Sequence, residues 1–340
     1  MNNRIWITWE TQRRNKELAD AFGCDYLCID MPSNTPRLKR YIKSIFLTYK
    51  ELKKGYKTIF IQCPSIVLLV FVTLWNILHK KCIVVDAHNA AIESATYSKA
   101  LDKSQSSYLK VLARKLLKHL ILFCMRHSKL VIVSNDALKE KLLKLKIESE
   151  PLPDKVPAIA QTHKQTKSQD RLKAILISSF AKDEPIKILI EAFISANLQM
   201  DLYITGQKKK AGDLLSFECE SIHFTDFLPT HEFDSLIASA DLLIDITTRD
   251  DCLVCGAYEA MAVGVPTILS DTRANRLTFA NTAINTSGFL FAKNTVDDLK
   301  QAFFTFASNP NKYRIAIQDF RPVFEGKWAK YFEEIMRKLI

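Results

Sequence analysis

Short apolar runs of the length and residue type of buried strands alternate with longer helical patterns along most of this 340-residue chain. The strand-like runs cover residues 4–9, 26–30, 58–62, 82–86 and 130–134, with helical patterns between them. Parallel strands need a crossover between them, and a helix is the usual one, so this alternation predicts α/β layers with mostly parallel sheets. The pattern fails over 151–170, PLPDKVPAIAQTHKQTKSQD, where three prolines and few large apolar groups suggest a linker. It then restarts with strand-like runs at 172–178, 202–205, 222–225, 242–246 and 266–269. Two Rossmann-like domains are expected: 1–155 and 171–308, joined by a linker over 156–170 and followed by C-terminal helices over 309–340. Trp328, Tyr331 and Phe332 give that last segment enough apolar surface to dock, and the N-terminal domain is a possible place for it.

A chain of this size, 48% hydrophobic and 25% charged, can bury two cores. Its eight cysteines follow no regular framework, and the stretch MNNRIWITWE lacks the layout of a secretory leader, so reduced thiols in the cytoplasm are expected. The apolar stretch 65–79, SIVLLVFVTLWNILH, is shorter than a membrane span and lies between strand-like runs, which predicts a buried helix. The run 116–125 is interrupted by Lys118 and His119 and is not read as a span either.

Charge divides unevenly. Residues 1–160 carry 27 Lys and Arg against 14 Asp and Glu, whereas the remainder carries 21 against 23, so the whole basic excess lies in the first half. An amphipathic helix expected over 37–54 concentrates it, with Ile42, Ile45, Phe46 and Tyr49 at helical spacing among Arg37, Lys39, Arg40, Lys43, Lys53 and Lys54. Such a surface attracts anionic headgroups, phosphorylated ligands or nucleic acid alike. No recognisable nucleic-acid motif accompanies the basic residues, which argues against the last of these.

Ligands of open α/β sheets bind outside the carboxyl ends of the strands. After the run at 242–246 come Thr247, Thr248, Arg249, Asp250 and Asp251, then a helix expected from Gly256. A glycine there lets the backbone approach a ligand, and the first-turn N–H groups suit a diphosphate. Asp251 and Glu259 stand eight residues apart, where one can hold ribose hydroxyls and the other orient a sugar. The segment Glu259, Ala260, Met261, Ala262, Val263, Gly264, Val265, Pro266 resembles the signature of glycosyltransferase family 4. There, two glutamates eight apart precede an Ala-Met-Ala-x-Gly-x-Pro run, and Asp251 replaces the first of them here. Lys182 stands near the family's diphosphate-binding lysine, although the usual Lys-Gly pair reads Glu184-Pro185.

A second resemblance, to the chitobiosyldiphosphodolichol β-mannosyltransferases and their bacterial relatives, rests on three pieces. These are Gln62-Cys63-Pro64, Val85-Asp86-Ala87-His88-Asn89, and Ser179-Phe180-Ala181-Lys182-Asp183-Glu184. Both resemblances imply the GT-B fold, in which two Rossmann-like domains face each other across a cleft. They differ in stereochemistry: family 4 retains the anomeric configuration and the mannosyltransferases invert it.

Inversion needs a general base, and His88 and Glu10 are the catalytic candidates at strand ends of the first domain. His88 could equally contact the donor sugar. Donor-binding candidates are Ser179, Lys182, Gly206, Lys208, Arg249, Asp251, Gly256 and Glu259. Gln12, Arg13 and Arg14, at an expected helix start that could grip a phosphate, and Asn89 are the acceptor candidates. Cys252 and Cys255 form a CxxC, but with no second pair at zinc spacing and no strand-end Asp-x-Asp, neither a metal nor a cofactor is expected. The resemblances together imply a hexosyltransferase that uses a UDP- or GDP-linked sugar as co-substrate. Its implied acceptor is a polyprenyl-diphosphate-linked saccharide in surface polysaccharide or glycan-precursor assembly. The basic first domain would then sit peripherally on the cytoplasmic face of the membrane. A nucleotide-sugar 2-epimerase and a non-catalytic GT-B partner subunit are the alternatives.

Overall fold

The computed structural model describes residues 3–32, 34–63, 65–89, 92, 108–159, 171–280 and 287–339, the side chains of 108–111, 113 and 114 excepted. The chain divides into two compact units, residues 1–155 with 330–340, and residues 156–329. Most of the expected linker, 160–170, falls outside the described residues, as does Pro64.

The first unit holds a six-stranded parallel sheet in the order β2-β1-β3-β4-β5-β6. Its strands are β1 (Arg4–Thr8), β2 (Asp25–Cys28), β3 (Thr58–Cys63), β4 (Cys82–Ala87), β5 (Leu130–Val133) and β6 (Ser149–Pro151). The helices described between them are α1 (Arg13–Ala21), α2 (Arg37–Leu52), α3 (Ile66–His79), α4 (Tyr108–Arg126) and α5 (Asp136–Lys144). Strands β3 and β4 are near-continuous apolar runs because helices cover the sheet on both faces. The stretch expected to be a buried helix is α3, which buries Leu68, Leu69 and Val72 and leaves Leu74, Ile77 and Leu78 exposed.

The second unit holds another six-stranded parallel sheet, β12-β11-β10-β7-β8-β9. These are β7 (Leu172–Leu176), β8 (Met200–Thr205), β9 (Ile222–Asp226), β10 (Leu242–Asp245), β11 (Thr267–Ser270) and β12 (Phe289–Ala292). Helices α6 (Ile186–Ala196), α7 (Thr230–Ala238), α8 (Gly256–Val263), α9 (Arg273–Phe279) and α10 (Val296–Ser308) connect or follow the strands. The strand order is that of a Rossmann sheet, reversing between β7 and β10; in the first unit the order reverses between β1 and β3.

The C-terminal segment is one long helix, α11 (Pro310–Leu339), with Pro322 inside it. Phe320 and Phe324 are buried in the second unit's core, with Trp328 packed against it. In the first unit, Phe332 packs against Phe22 with ring centroids 4.8 Å apart, and Tyr331 Oη donates to Asp136 at 2.9 Å. Lys338 Nζ reaches Glu148 at 2.8 Å and Glu150 at 2.5 Å. Lys139 also binds Glu150, and although burial pushes that carboxyl up, the two lysines hold it below its ordinary value.

Candidate functional site

Each sheet changes direction at one place, and the loops leaving the flanking strands form a polar cluster there. In the first unit the cluster begins at Thr8, the last residue of β1. Its hydroxyl donates to Gln62 Oε1 at the end of β3 and accepts from Asn15 Nδ2 at 3.2 Å. Gln62 Nε2 donates to Gln12 Oε1 at 2.9 Å, and Gln12 Nε2 reaches the Glu10 carboxylate at 3.3 Å. Gln12 and Glu10 thus join one hydrogen-bonded chain across the switch point. Glu10 also lines a cavity of about 460 Å³ with Trp9, Asp30, Arg40, Tyr41 and Ile66.

Beside this chain, Asp86 near the end of β4 is buried and binds two partners. Arg14 approaches it with two N–H bonds of 3.1 and 2.8 Å, and His88 Nε2 lies 3.0 Å from its Oδ2. A third Arg14 bond of 2.5 Å goes to Asp154. Burial alone would push the Asp86 carboxyl up, but Arg14, and after it His88, hold it well below the usual carboxylate range. Arg14 loses hydration in the same way and regains more from Asp86 and Asp154, so its pKa is raised. This corrects the expectation for Arg14 as a phosphate ligand. The side chain points into the protein, 7% exposed, and its guanidinium is engaged by two carboxylates.

His88 is 24% exposed, so it can reach a ligand while Asp86 holds it. With Nε2–H donating to Asp86, Nδ1 carries the lone pair, a tautomer suited to taking a proton. The backbone N–H of His88 donates to Cys63 O at 2.8 Å, which fixes the loop after β4 against the end of β3. Asn89 is half-buried, and its Oδ1 has no hydrogen-bond partner among the described residues. Arg13 starts α1 and is exposed.

The second unit's switch point is acidic. Asp245 ends β10 and is buried; its Oδ2 accepts the Gly256 N–H at 2.7 Å. Burial pushes this carboxyl well up, and the nearby Glu259, Glu184 and Asp183 charges push the same way against the single N–H bond. Packing alone requires a glycine at 256. A Cβ there would lie 2.7 Å from Asp245 Oδ2 and 2.9 Å from Ile177 Cδ1. Its N–H, expected to face a diphosphate, already caps α8 through Asp245.

The loop after β7 is held by Glu184, which accepts from Ser178 Oγ at 2.7 Å and Ser179 Oγ at 2.6 Å and from the Ser179 N–H. Phe180 follows with positive φ, and Ser178 O lies 2.5 Å from where a Cβ on Gly206 would stand, so Gly206 serves close approach of the β7 and β8 loops. Asp183 accepts from Thr247 Oγ1 at 2.9 Å, and its carbonyl accepts the Thr248 N–H at 2.7 Å, tying the β7 and β10 loops together. Lys182 is exposed beside them and makes no ion pair among the described residues. Arg249, Asp251 and Glu259 are half-buried. Lys208 lies further out: its ammonium is 2.7 Å from Glu218, and its N–H donates to Asp226 at 2.9 Å.

The structure thus gathers Ser179, Gly206, Gly256 and Glu259 about the β7–β10 switch, and Glu10, Gln12 and His88 about the carboxyl ends of β1, β3 and β4. Asp154 and Asp245 emerge only from the fold, as do the roles of Asp86, Asp183 and Glu184, which the motif pieces contain without a role. A strand-terminal aspartate after an apolar run, as in CIVVDA and LLID, is the one sequence signal that marks two of them. No disulfide joins the described cysteines, and no group of three or more metal-ligating side chains occurs among the described residues.

Residues 158–321 match the family model described as "Glycosyl transferases group 1". That stretch spans the second unit almost from end to end and contains its whole switch-point cluster. No curated protein matches the chain in sequence. Among solved structures, sucrose-phosphate synthase from Thermosynechococcus elongatus is similar with a TM-score of 0.68 at 14% identity, covering 93% of this chain and 83% of that one. HepE from Anabaena in complex with UDP-glucose gives 0.65 at 14% identity, with coverages of 96% and 88%. A UDP-N-acetylglucosamine 2-epimerase gives 0.50 at 12% identity, with coverages of 93% and 82%. The fold of this chain is GT-B, with a group 1 glycosyltransferase-like second unit.

Proposed function

We propose that this protein is a glycosyltransferase that moves a hexosyl group from a UDP- or GDP-linked donor, bound by the second unit, to an acceptor bound by the first. The observation that carries this reading is the group 1 glycosyl transferases match over 158–321. On this reading Glu259 orients the donor sugar, and Lys182 and Arg249 meet the leaving diphosphate without a metal. His88, kept in one tautomer by Asp86, takes the proton of the attacking hydroxyl, the role a general base has in an inverting transfer.

The acceptor we propose is a polyprenyl-diphosphate-linked saccharide of surface polysaccharide or glycan-precursor assembly, presented at the cytoplasmic face of a membrane. The basic excess of residues 1–160 supports it, as does the 460 Å³ cavity whose aromatic, carboxylate and guanidinium lining suits a sugar and its phosphate. No helix among the described residues is long and apolar enough to cross a membrane. The attachment we propose is peripheral.

The test is to incubate the protein with UDP- and GDP-sugars, with and without a polyprenyl-diphosphate saccharide, and to follow the product by mass and by anomeric proton coupling. Acceptor-dependent transfer with inversion is expected. Conversion of UDP-N-acetylglucosamine to its 2-epimer without any acceptor would replace this reading with the epimerase one.

A further inference from the structure

Helix α2 carries large apolar residues on its outer as well as its inner face. The residues it buries are Ser44, Thr48 and Leu52, two of them hydroxyl side chains, and Thr48 Oγ1 accepts from the Trp9 indole at 3.1 Å. Ile45 and Leu47 pack partly against the core, but a row of large apolar residues faces solvent: Leu38 is 72% exposed, Ile42 60% and Phe46 63%, with Tyr41 and Tyr49 beside them. Positions 38, 42 and 46 are one helical turn apart, so they form a single ridge. Helix α3 packs next to α2, and α4 next to α3; they leave Leu74, Ile77 and Leu78, and Leu112 and Leu116, exposed as well. Scattered exposed leucines need no explanation, but a row of this kind on neighbouring helices does.

A groove of about 660 Å³ runs between α2 and the edge strand β2, and Lys39, Lys43, Lys50 and Lys54 line it. Its acidic members are engaged: Glu51 by Lys54 at 2.7 Å and Tyr56 at 3.0 Å, and Asp30 by the Thr11 N–H at 3.2 Å. Lys39, Lys43 and Lys50 make no ion pair among the described residues.

We propose that the α2 ridge, with the outer faces of α3 and α4, seats this protein on an anionic lipid bilayer, headgroup phosphates entering the lysine groove beside β2. Charge complementarity selects the occupant. A protein–protein interface depletes lysine from its apolar core, whereas here lysines flank the apolar row along the same helix, the arrangement of an interfacial helix. The inference rests on the membrane-associated reading above and names the surface and the lipid chemistry.

The test is co-sedimentation of the full chain with phosphatidylcholine vesicles, and with phosphatidylcholine vesicles containing phosphatidylglycerol, at low and high salt. Binding to the anionic vesicles alone, weakened by salt, is expected. The Lys39→Glu/Lys43→Glu/Lys50→Glu variant should lose binding by more than about a hundredfold, since each lysine near such a surface strengthens binding about fivefold and each glutamate adds repulsion. The Ile42→Ser/Phe46→Ser variant should lose at least about a hundredfold with its salt dependence intact. The corresponding lysine-to-glutamine variant replaces the charge reversal if that one melts early. Equal binding to both vesicle types, wild-type binding by either variant, or full displacement by soluble glycerol phosphate would overturn the proposal. Thermal stabilisation by the donor nucleotide, measured without vesicles, should be the same in all forms. Its absence from the wild-type protein, with vesicle binding present, would count against the transferase reading and leave this face standing.

Discussion

Two aspartates at or near the carboxyl end of a central parallel strand, Asp86 of β4 and Asp245 of β10, are both buried yet have opposite electrostatics. Asp86 sits between Arg14 and His88 and stays ionised to low pH. Asp245 has one backbone N–H bond and three acidic neighbours, so its carboxyl is pushed up. Burial disfavours the charge on both, and the neighbours decide which survives. The ionised aspartate can hold a histidine in one tautomer. The other fastens a helix to the sheet.

Removing the charge at each position separates the two most sharply. Asp86→Asn leaves Arg14 buried with Asp154 as its remaining charged partner. A loss of about 3–5 kcal/mol is expected in urea titrations, because a buried charge without its counterion is costly. Transfer should fall as well, since His88 loses its orienting carboxylate. His88→Asn should reduce kcat by about 10²–10⁴-fold, the usual contribution of a general base, while leaving the melting temperature nearly unchanged at this partly exposed position. Wild-type turnover by that variant would remove His88 from the chemistry.

Gly256→Ala probes the other side of the comparison. The added methyl meets the Asp245 carboxylate and Ile177, and a loss of about 1–3 kcal/mol is expected. The smallest effect belongs to Asp245→Asn, which keeps an oxygen for the Gly256 N–H: a change under about 1 kcal/mol near neutrality, toward greater stability. The pH dependences run in opposite directions. Asp86, with its pKa lowered, contributes stability present above the ordinary aspartate value and lost as pH falls toward its own. Asp245, with its pKa raised, contributes stability present below the ordinary value and lost as pH rises through its own. The advantage of Asp245→Asn over the wild type should therefore grow with pH, and a pH-independent difference would show that Asp245 is ionised throughout.

Most strands were legible because buried parallel strands read as short apolar runs; those at 58–62 and 82–86 fall within one residue of β3 and β4. Strand β6 has three residues and ends on Pro151, too short to show a period; β12 was missed although it is as long as β10 and β11. Helix α2 was legible as amphipathic, but not which face it buries, because Ser44 and Thr48 become interior only once Trp9 and the sheet are in place. Arg14 at a helix start has the local pattern of a phosphate ligand. Its true partners lie 72 and 140 residues away, beyond any local pattern. Gly256 stood out as a glycine; the reason for it, clearance from Asp245, needed the fold.

The central claim is that the second unit holds a nucleotide sugar. The most direct test is a thermal-shift titration of the wild type and Glu259→Ala with UDP, GDP and their sugar conjugates. A ligand that binds only the folded form raises its melting temperature with concentration. The account predicts a saturable rise with one nucleoside diphosphate, and a larger rise with its sugar conjugate that Glu259→Ala loses. No rise with any of these ligands, or equal protection of Glu259→Ala by the sugar conjugate, would contradict it.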